Sequence, residues 1–170
     1  MLYIMTSGEL LTDAFGRVQE DVHATVSGLS ESELAVRLDP DANSIAWLIW
    51  HLARVQDDHV AGAFGASQVW PSWAGRFGLP FDVTDIGYGH DSAAVAAVRA
   101  AGSLLTGYYD AVHEMTVPLV SSVKDPDLDR IVDRRWNPPV TLGVRLVSVI
   151  GDTTQHVGQA AFIRGILLRR

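Results

Sequence analysis

The chain contains no cysteine. That excludes a disulfide scaffold, a Cys-ligated zinc finger, an iron–sulfur site and a cysteine nucleophile. Any thiol chemistry must therefore use a thiol that a ligand brings. Lysine is almost as scarce: Lys124 is the sole lysine among 13 basic residues, so a Schiff-base mechanism has one poor candidate. Positive charge is in deficit overall, since 20 acidic residues give a formal net charge of −7. A negative chain repels phosphate backbones unless it carries a local basic patch. Arg134-Arg135 and Arg169-Arg170 are only pairs, so no nucleic-acid partner is expected. Long uncharged apolar runs are missing too. The stretch from Ser44 to Trp50 is cut by His51 and Arg54, far short of the roughly 18 residues that a membrane span requires. The apolar start from Met1 to Met5 has no basic lead and no small-residue cleavage site, unlike a signal peptide. The expectation is a cytoplasmic protein with no membrane partner.

What is present points to a folded helical chain. Its 170 residues are 48% hydrophobic and 19% charged, which excludes a disordered chain and fits one domain over 1–170. Four segments carry apolar residues at spacings of three and four. The first runs from about Ser7 to Leu29, with Leu11, Phe15, Val18, Val22 and Val26 inward. Ser30 and Glu33 then form a capping-box pattern for a short turn that Asp39-Pro40 stops. The second segment opens at Asn43 or Ser44 and runs to about Phe64 along Ile45, Leu48, Leu52 and Val55. The third spans about Asp91 to Met115, with Val95, Val98, Leu105, Tyr109 and Val112 inward. The fourth runs from near Thr141 to the end, with Leu142, Leu146, Val149, Val157, Ala160 and Ile163 on a wide apolar face.

No alternating strand pattern of useful length occurs, and the charged stretch 121–132 reads as loop. The pattern predicts an all-α four-helix bundle. Its second and third helices are joined by Gly65 to His90, rich in Gly, Pro and Trp, and a loop of similar length precedes the fourth. Such long connections are uncommon in compact domains, are often functional, and permit overhand crossings in a bundle. Small residues at 158, 160, 161 and 165 would let helices approach closely within the bundle or between subunits, and a homodimer is expected on that ground.

The residues that can carry chemistry are His51 on the second segment and Asp152 with His156 on the fourth. Asp152 and His156 are four apart and share one helix face. They form a two-ligand clamp for a divalent metal, and His51, beside Leu48, Leu52 and Val55, can add a donor from a facing helix. Three protein ligands leave a position open for water or substrate, as catalytic sites do. Two nitrogens and a carboxylate suit Zn²⁺, Ni²⁺ or Fe²⁺. Spacing alone leaves rivals: with six histidines in the chain, Asp58-His59, His90 in Gly87-Tyr88-Gly89-His90, and His113-Glu114 are candidates of the same kind. A core histidine bonded to a carbonyl is the plainer account of His51, and an intrahelical pair that of Asp152 and His156. Trp47, Trp50, Trp70 and Trp73 either cover a core end or wall a pocket. Arg54 and Arg145 either form salt bridges or bind an anionic group on a ligand.

The stretch from Asn43 through Trp47, Trp50 and His51 to His59 resembles the second helix of DinB-like proteins, and Asp152-Thr153-Thr154-Gln155-His156-Val157-Gly158-Gln159 resembles their last. Arg76 to Pro80, Gly87 to His90 and Pro138 to Arg145 are similar to the actinobacterial branch grouped with mycothiol-dependent transferases. The resemblance implies a four-helix bundle in which His51, Asp152 and His156 hold a divalent metal, Zn²⁺ first, with Ni²⁺ or Fe²⁺ the others. Relatives often carry His-x-x-x-His or Glu-x-x-x-His on the last helix. Asp152 is one methylene shorter than Glu, so it reaches a metal only if the helices sit closer, or through water.

The implied activity is a metal-dependent thiol S-transferase. Its partners would be a low-molecular-weight thiol such as mycothiol and a small electrophile. A free thiol titrates near pKa ~8.5 and is mostly protonated in the cytoplasm. Metal coordination would deprotonate it to a bound thiolate, the nucleophile. Two other classes suit the same bundle. One is a non-catalytic metal- or ligand-binding stress protein, which Asp152 favours. The other is a metal-dependent hydrolase, the metal lowering the pKa of bound water to about 7, with His59, Asp58 or His90 as proton carrier.

Overall fold

The computed structural model describes residues 4–169. In chain order its elements are α1 (Ser7–Val26), α2 (Glu31–Leu34), α3 (Ile45–Phe64), α4 (Ala74–Phe77), α5 (Ser92–Ala97), α6 (Gly102–Ser121), β1 (Ile131–Asp133), β2 (Val140–Thr141) and α7 (Leu142–Leu167). Helix starts are set locally. Thr6 with Glu9 and Ser30 with Glu33 form capping boxes for α1 and α2. Ser44, Asp91 and Thr141 open α3, α5 and α7, each accepting from a backbone N–H that has no partner inside the helix. Helix α3 stops at Gly65, whose φ of 68° lies in the left-handed region that closes helices.

Helix α3 packs on α6 and α7, and α1 packs on the same two. Helices α1 and α3 are therefore diagonal, and the link between them crosses one end of the bundle. The link from α6 to α7 also joins diagonal partners. The overhand connections expected of a four-helix bundle with long loops are present.

Two local readings change. The segment from Asp91 to Met115 is not one helix but α5 and α6, broken at Val98, where ψ is 98°. Val98 and Ala100 are buried at the break, and Gly102 starts α6 against α1, where a Cβ would lie 2.8 Å from Val26 Cγ1. Tertiary packing overrides a continuous helical pattern there. Helix α6 then runs through Pro118 to Ser121, where the ring removes the N–H that would donate to the Glu114 carbonyl. The second change is a small antiparallel pair, Ile131 opposite Thr141 and Asp133 opposite Val140. Strands this short have no room for a readable alternation. The small residues expected to bring helices together do not all do so. Ala160 is buried, but Gly158 and Ala161 are exposed, and no atom lies within 4 Å of a Cβ built on Gly158.

Nearly all of α3 is buried. Its first half joins an apolar cluster with Leu105 and Val112, and its last turns join another with Phe15, Leu142 and Leu146. Between them lie the buried polar side chains Arg54, Gln56 and Asp57, with Thr116 from α6. Gln56 donates to Thr116 at 3.0 Å and accepts from the Tyr109 hydroxyl at 2.9 Å. The Asp57 carboxylate accepts from the backbone N–H groups of Val69 and Trp70 at 2.9 and 2.8 Å and from the Tyr108 hydroxyl at 2.9 Å. Arg54 completes the shell at 3.5 Å. Burial pushes the Asp57 carboxyl above its ordinary value against the pull of these donors.

Asp57 thus fastens the start of the long connection to α3. Asp57→Ala would strand a buried guanidinium and two backbone donors. Urea unfolding is expected to show a loss of about 3–5 kcal/mol; a loss indistinguishable from that of a surface substitution would refute this anchoring role.

Candidate metal site

Helices α3 and α7 run antiparallel, and His51 on one meets Asp152 and His156 on the other. One ligand atom from each lies within 4.8 Å of the other two. The imidazole centroids are 4.9 Å apart with the rings at 74°. His156 Nε2 lies 3.6 Å from Asp152 Oδ1. Local helix geometry pairs Asp152 with His156, whereas only packing of α3 on α7 brings His51. Asp152 shares the cluster despite its short side chain. Among the described residues no other group of three His, Asp or Glu gathers its donors in this way.

Outer hydrogen bonds orient the rings. His51 Nδ1 lies 2.5 Å from the Ile86 carbonyl oxygen. A carbonyl only accepts, so Nδ1 carries the proton and Nε2 keeps a lone pair. His156 Nδ1 donates to Gln159 Oε1 at 3.2 Å, which leaves its Nε2 on the Asp152 side. Asp152 Oδ2 is buried with no hydrogen-bond partner. A carboxylate oxygen orphaned beside two imidazoles is costly unless a cation takes it. Two nitrogens and one oxygen are also a usual donor set for a divalent cation. The residues present therefore fit a metal.

The Ile86 carbonyl is held by its own loop. Asp85 accepts the Gly87 N–H at 2.7 Å and, through its other oxygen, the His90 Nε2–H at 3.1 Å. His90 Nδ1 accepts from the Trp47 indole at 3.1 Å, and Arg54 Nε donates to the Asp85 carbonyl at 3.1 Å. Gly87 has φ 90°, and a Cβ there would lie 2.7 Å from His51 Nδ1. Only glycine lets the turn close onto the ring. Trp47 covers one face of His51, stacked at 4.6 Å and 15°, and Trp50 stacks on His90 at 5.7 Å.

The other candidates fall elsewhere. Asp58 and His59 pair at 2.9 Å two turns along α3. His113 lies on α6, and the exposed His23 pairs with Asp110. Trp70 and Trp73 pack on Tyr108. Arg54 is fully buried against Asp57, Gln68 and the loop, out of a ligand's reach. The sequence reading missed the Ile86 carbonyl and Asp85. A main-chain acceptor leaves no side-chain signature, and its one trace is Gly87, a glycine at the turn.

The two histidines are shifted in opposite directions. Burial, foremost, depresses the His51 value, while the Asp152 carboxylate 3.6 Å away, foremost, raises that of His156. The Asp152–His156 pair therefore contributes its stability in full below the unfolded imidazole value of about 6.5 and loses it as pH rises through the higher folded value. His51 acts the other way, since acidification through its window favours the unfolded chain. NMR titration of the chelator-treated protein should find His156 titrating above the ordinary imidazole value and His51 below it. Asp152→Asn should lower His156 most, and His51 by less, since the Asp152 charge favours both imidazolium forms. Two unshifted titrations would mean that the cluster does not assemble.

Comparison with known proteins agrees with the bundle. A family model described as mycothiol-S-transferase matches residues 10–168. A crystal structure of a conserved protein from Enterococcus faecalis superposes with a TM-score of 0.88 at 29% identity, covering 98% of this chain and 100% of that one. No curated protein matches. With the family model matching from α1 to the end of α7, the chain belongs to the mycothiol-S-transferase family of DinB-like proteins.

Proposed function

We propose that this chain is a divalent-metal-dependent thiol S-transferase whose metal is held by His51, Asp152 and His156. One observation carries the reading: the partnerless Asp152 oxygen lies beside two imidazoles whose Nδ1 atoms are committed outward. The family's thiol chemistry and the absence of cysteine support it, because the nucleophilic sulfur must then come from a small thiol, mycothiol being the expected one. A divalent cation bound there, Zn²⁺ foremost and Ni²⁺ or Fe²⁺ compatible, would lower the pKa of a coordinating thiol and supply a thiolate near neutral pH.

The chain's own residues do the rest. The Ile86 carbonyl takes the His51 Nδ1 proton, which makes Nε2 a stronger and better-aimed donor. Gln159 does the same for His156. Trp47 shields His51 on one face from water. Hydrolysis is the weaker reading because, among the described residues, no free base stands beside the cluster. His90 has both nitrogens engaged, and His59 is two turns away. A binding protein without turnover is the second reading, favoured by the short Asp152.

Metal analysis of freshly purified protein should find near-stoichiometric Zn, Ni or Fe, lost in His51→Ala and in His156→Ala. Chelation should abolish thiol consumption with a model electrophile. An unchanged rate after chelation would overturn the mechanism, and metal without turnover would favour the binding protein. Gly87→Ala should weaken metal affinity by about 10–100-fold, the usual effect of losing an outer partner of a ligand, with helical circular dichroism unchanged. Unaltered affinity would show that Ile86 does not aim the ring.

A further inference from the structure

The seam between α3 and α7 carries more than the cluster. Toward the start of α3, a cavity of about 440 Å³ is lined by Leu48, Gly158, Phe162 and Ile163. Toward its end, a second cavity of about 240 Å³ is closed by β1 and lined by Asp58, His59, Asp133, Arg134, Arg135 and Arg145. Arg145 stands seven residues before Asp152, and Asp58 seven after His51. At 1.5 Å per helical residue, the second cavity lies about 10 Å from the cluster along the same groove.

Its charge is unlike the rest of the molecule. Three guanidinium groups meet two carboxylates in a chain whose net charge is −7. The carboxylates are already engaged. Asp58 accepts from Gln68 at 2.8 Å and pairs with His59 at 2.9 Å. Asp133 takes Arg135 at 2.9 Å and Arg145 at 3.0 Å. Arg145 keeps its side chain only 16% exposed, and a single nitrogen bonds Asp133. Arg134 has no ion-pair partner among the described residues. The cavity therefore offers one largely desolvated guanidinium, Arg145, flanked by the exposed Arg134 and Arg135, with no equal number of free acceptors. A guanidinium is the planar fork that carboxylates match.

We infer that this cavity binds a carboxylate carried by one of the two reactants and holds that reactant along the α3–α7 groove toward His51, Asp152 and His156. As an account of a reactant it rests on the transferase reading; as an anion site it rests on the cavity alone. Arg145 is its centre, and Asp133 occupies in the free protein the place that the ligand carboxylate contests.

The test uses benzoate and its neutral isostere benzamide as probes, titrated into the full chain by NMR. Benzoate should bind at least about tenfold tighter, the value of a charge-assisted pair. Arg145→Met should abolish the preference. Asp133→Asn, which removes the internal competitor, should strengthen benzoate binding, so the two variants move affinity in opposite directions. His156→Ala should keep the preference, because the anion site does not need the metal. Equal binding of the two probes by the wild type, or a preference that survives Arg145→Met, overturns the inference whatever the metal does. A benzoate preference in a chain that proves metal-free would sink the transferase reading while leaving the anion site standing. Turnover then identifies the reactant, with 4-chloro-3-nitrobenzoate against its amide using a neutral thiol, and 3-mercaptopropionate against 2-mercaptoethanol using a neutral electrophile. In the first pair a C–S bond forms as C–Cl breaks, chloride leaving and the thiol proton passing to water. An Arg145-dependent preference in one pair assigns the carboxylate to that reactant; a preference in neither overturns its assignment to the reaction.

Discussion

The hydrogen bond from His51 Nδ1 to the Ile86 carbonyl is the joint on which the site depends. It locks one imidazole tautomer and seats the end of the long connection on α3. The rest of the loop serves that contact. Asp85 braces Gly87 and His90, His90 braces Trp47, and Trp47 stacks on the ring that Ile86 holds. At the other end of the loop, Asp57 grips Val69 and Trp70. One helix thus clamps both ends of a connection that would otherwise be free to move over the groove.

This explains why so hydrophobic a helix carries charge in its middle. A buried ion pair such as Arg54–Asp57 is weak evidence for stability, because apolar replacements of similar volume are often as stable or more so. What the pair supplies is specification. Arg54 reaches the Asp85 carbonyl and the Gln68 amide, and Asp57 reaches two loop N–H groups. Leu and Met at these positions would fill the space but leave the loop's main-chain groups without partners. The polar layer between the two apolar clusters is therefore where the bundle chooses one loop arrangement.

Much of this was legible in the sequence because it is local. Thr141 and Ser44 cap their helices within three residues, and the apolar stripes of α1, α3 and α7 face inward as their periodicity requires. Asp152 and His156 share a face for the same reason. His51 was reachable through the resemblance, since spacing alone left Asp58-His59, His90 and His113 as equals. What escaped was non-local or main-chain. The break before Gly102 answers to Val26 on another helix, the strand pair is too short to show a pattern, and the Ile86 carbonyl has no side-chain mark. Arg54 reads as an ordinary surface arginine until the loop folds over it.

Charge counting links the two ends of the groove. Two imidazoles held neutral by their outer bonds and one carboxylate would leave a bound dication with one positive charge to spare. An incoming thiolate would cancel it, whereas a second carboxylate ligand would have cancelled it already and weakened the attraction in a low-dielectric seam. With the cluster so balanced, nothing at the metal would be left to attract a further anion. An anionic reactant would then need its own counter-charge farther along, and against the chain's overall negative field the locally positive cavity offers one. Arg145, on the same face of α7 as Asp152 and two turns before it, stands where that charge is required.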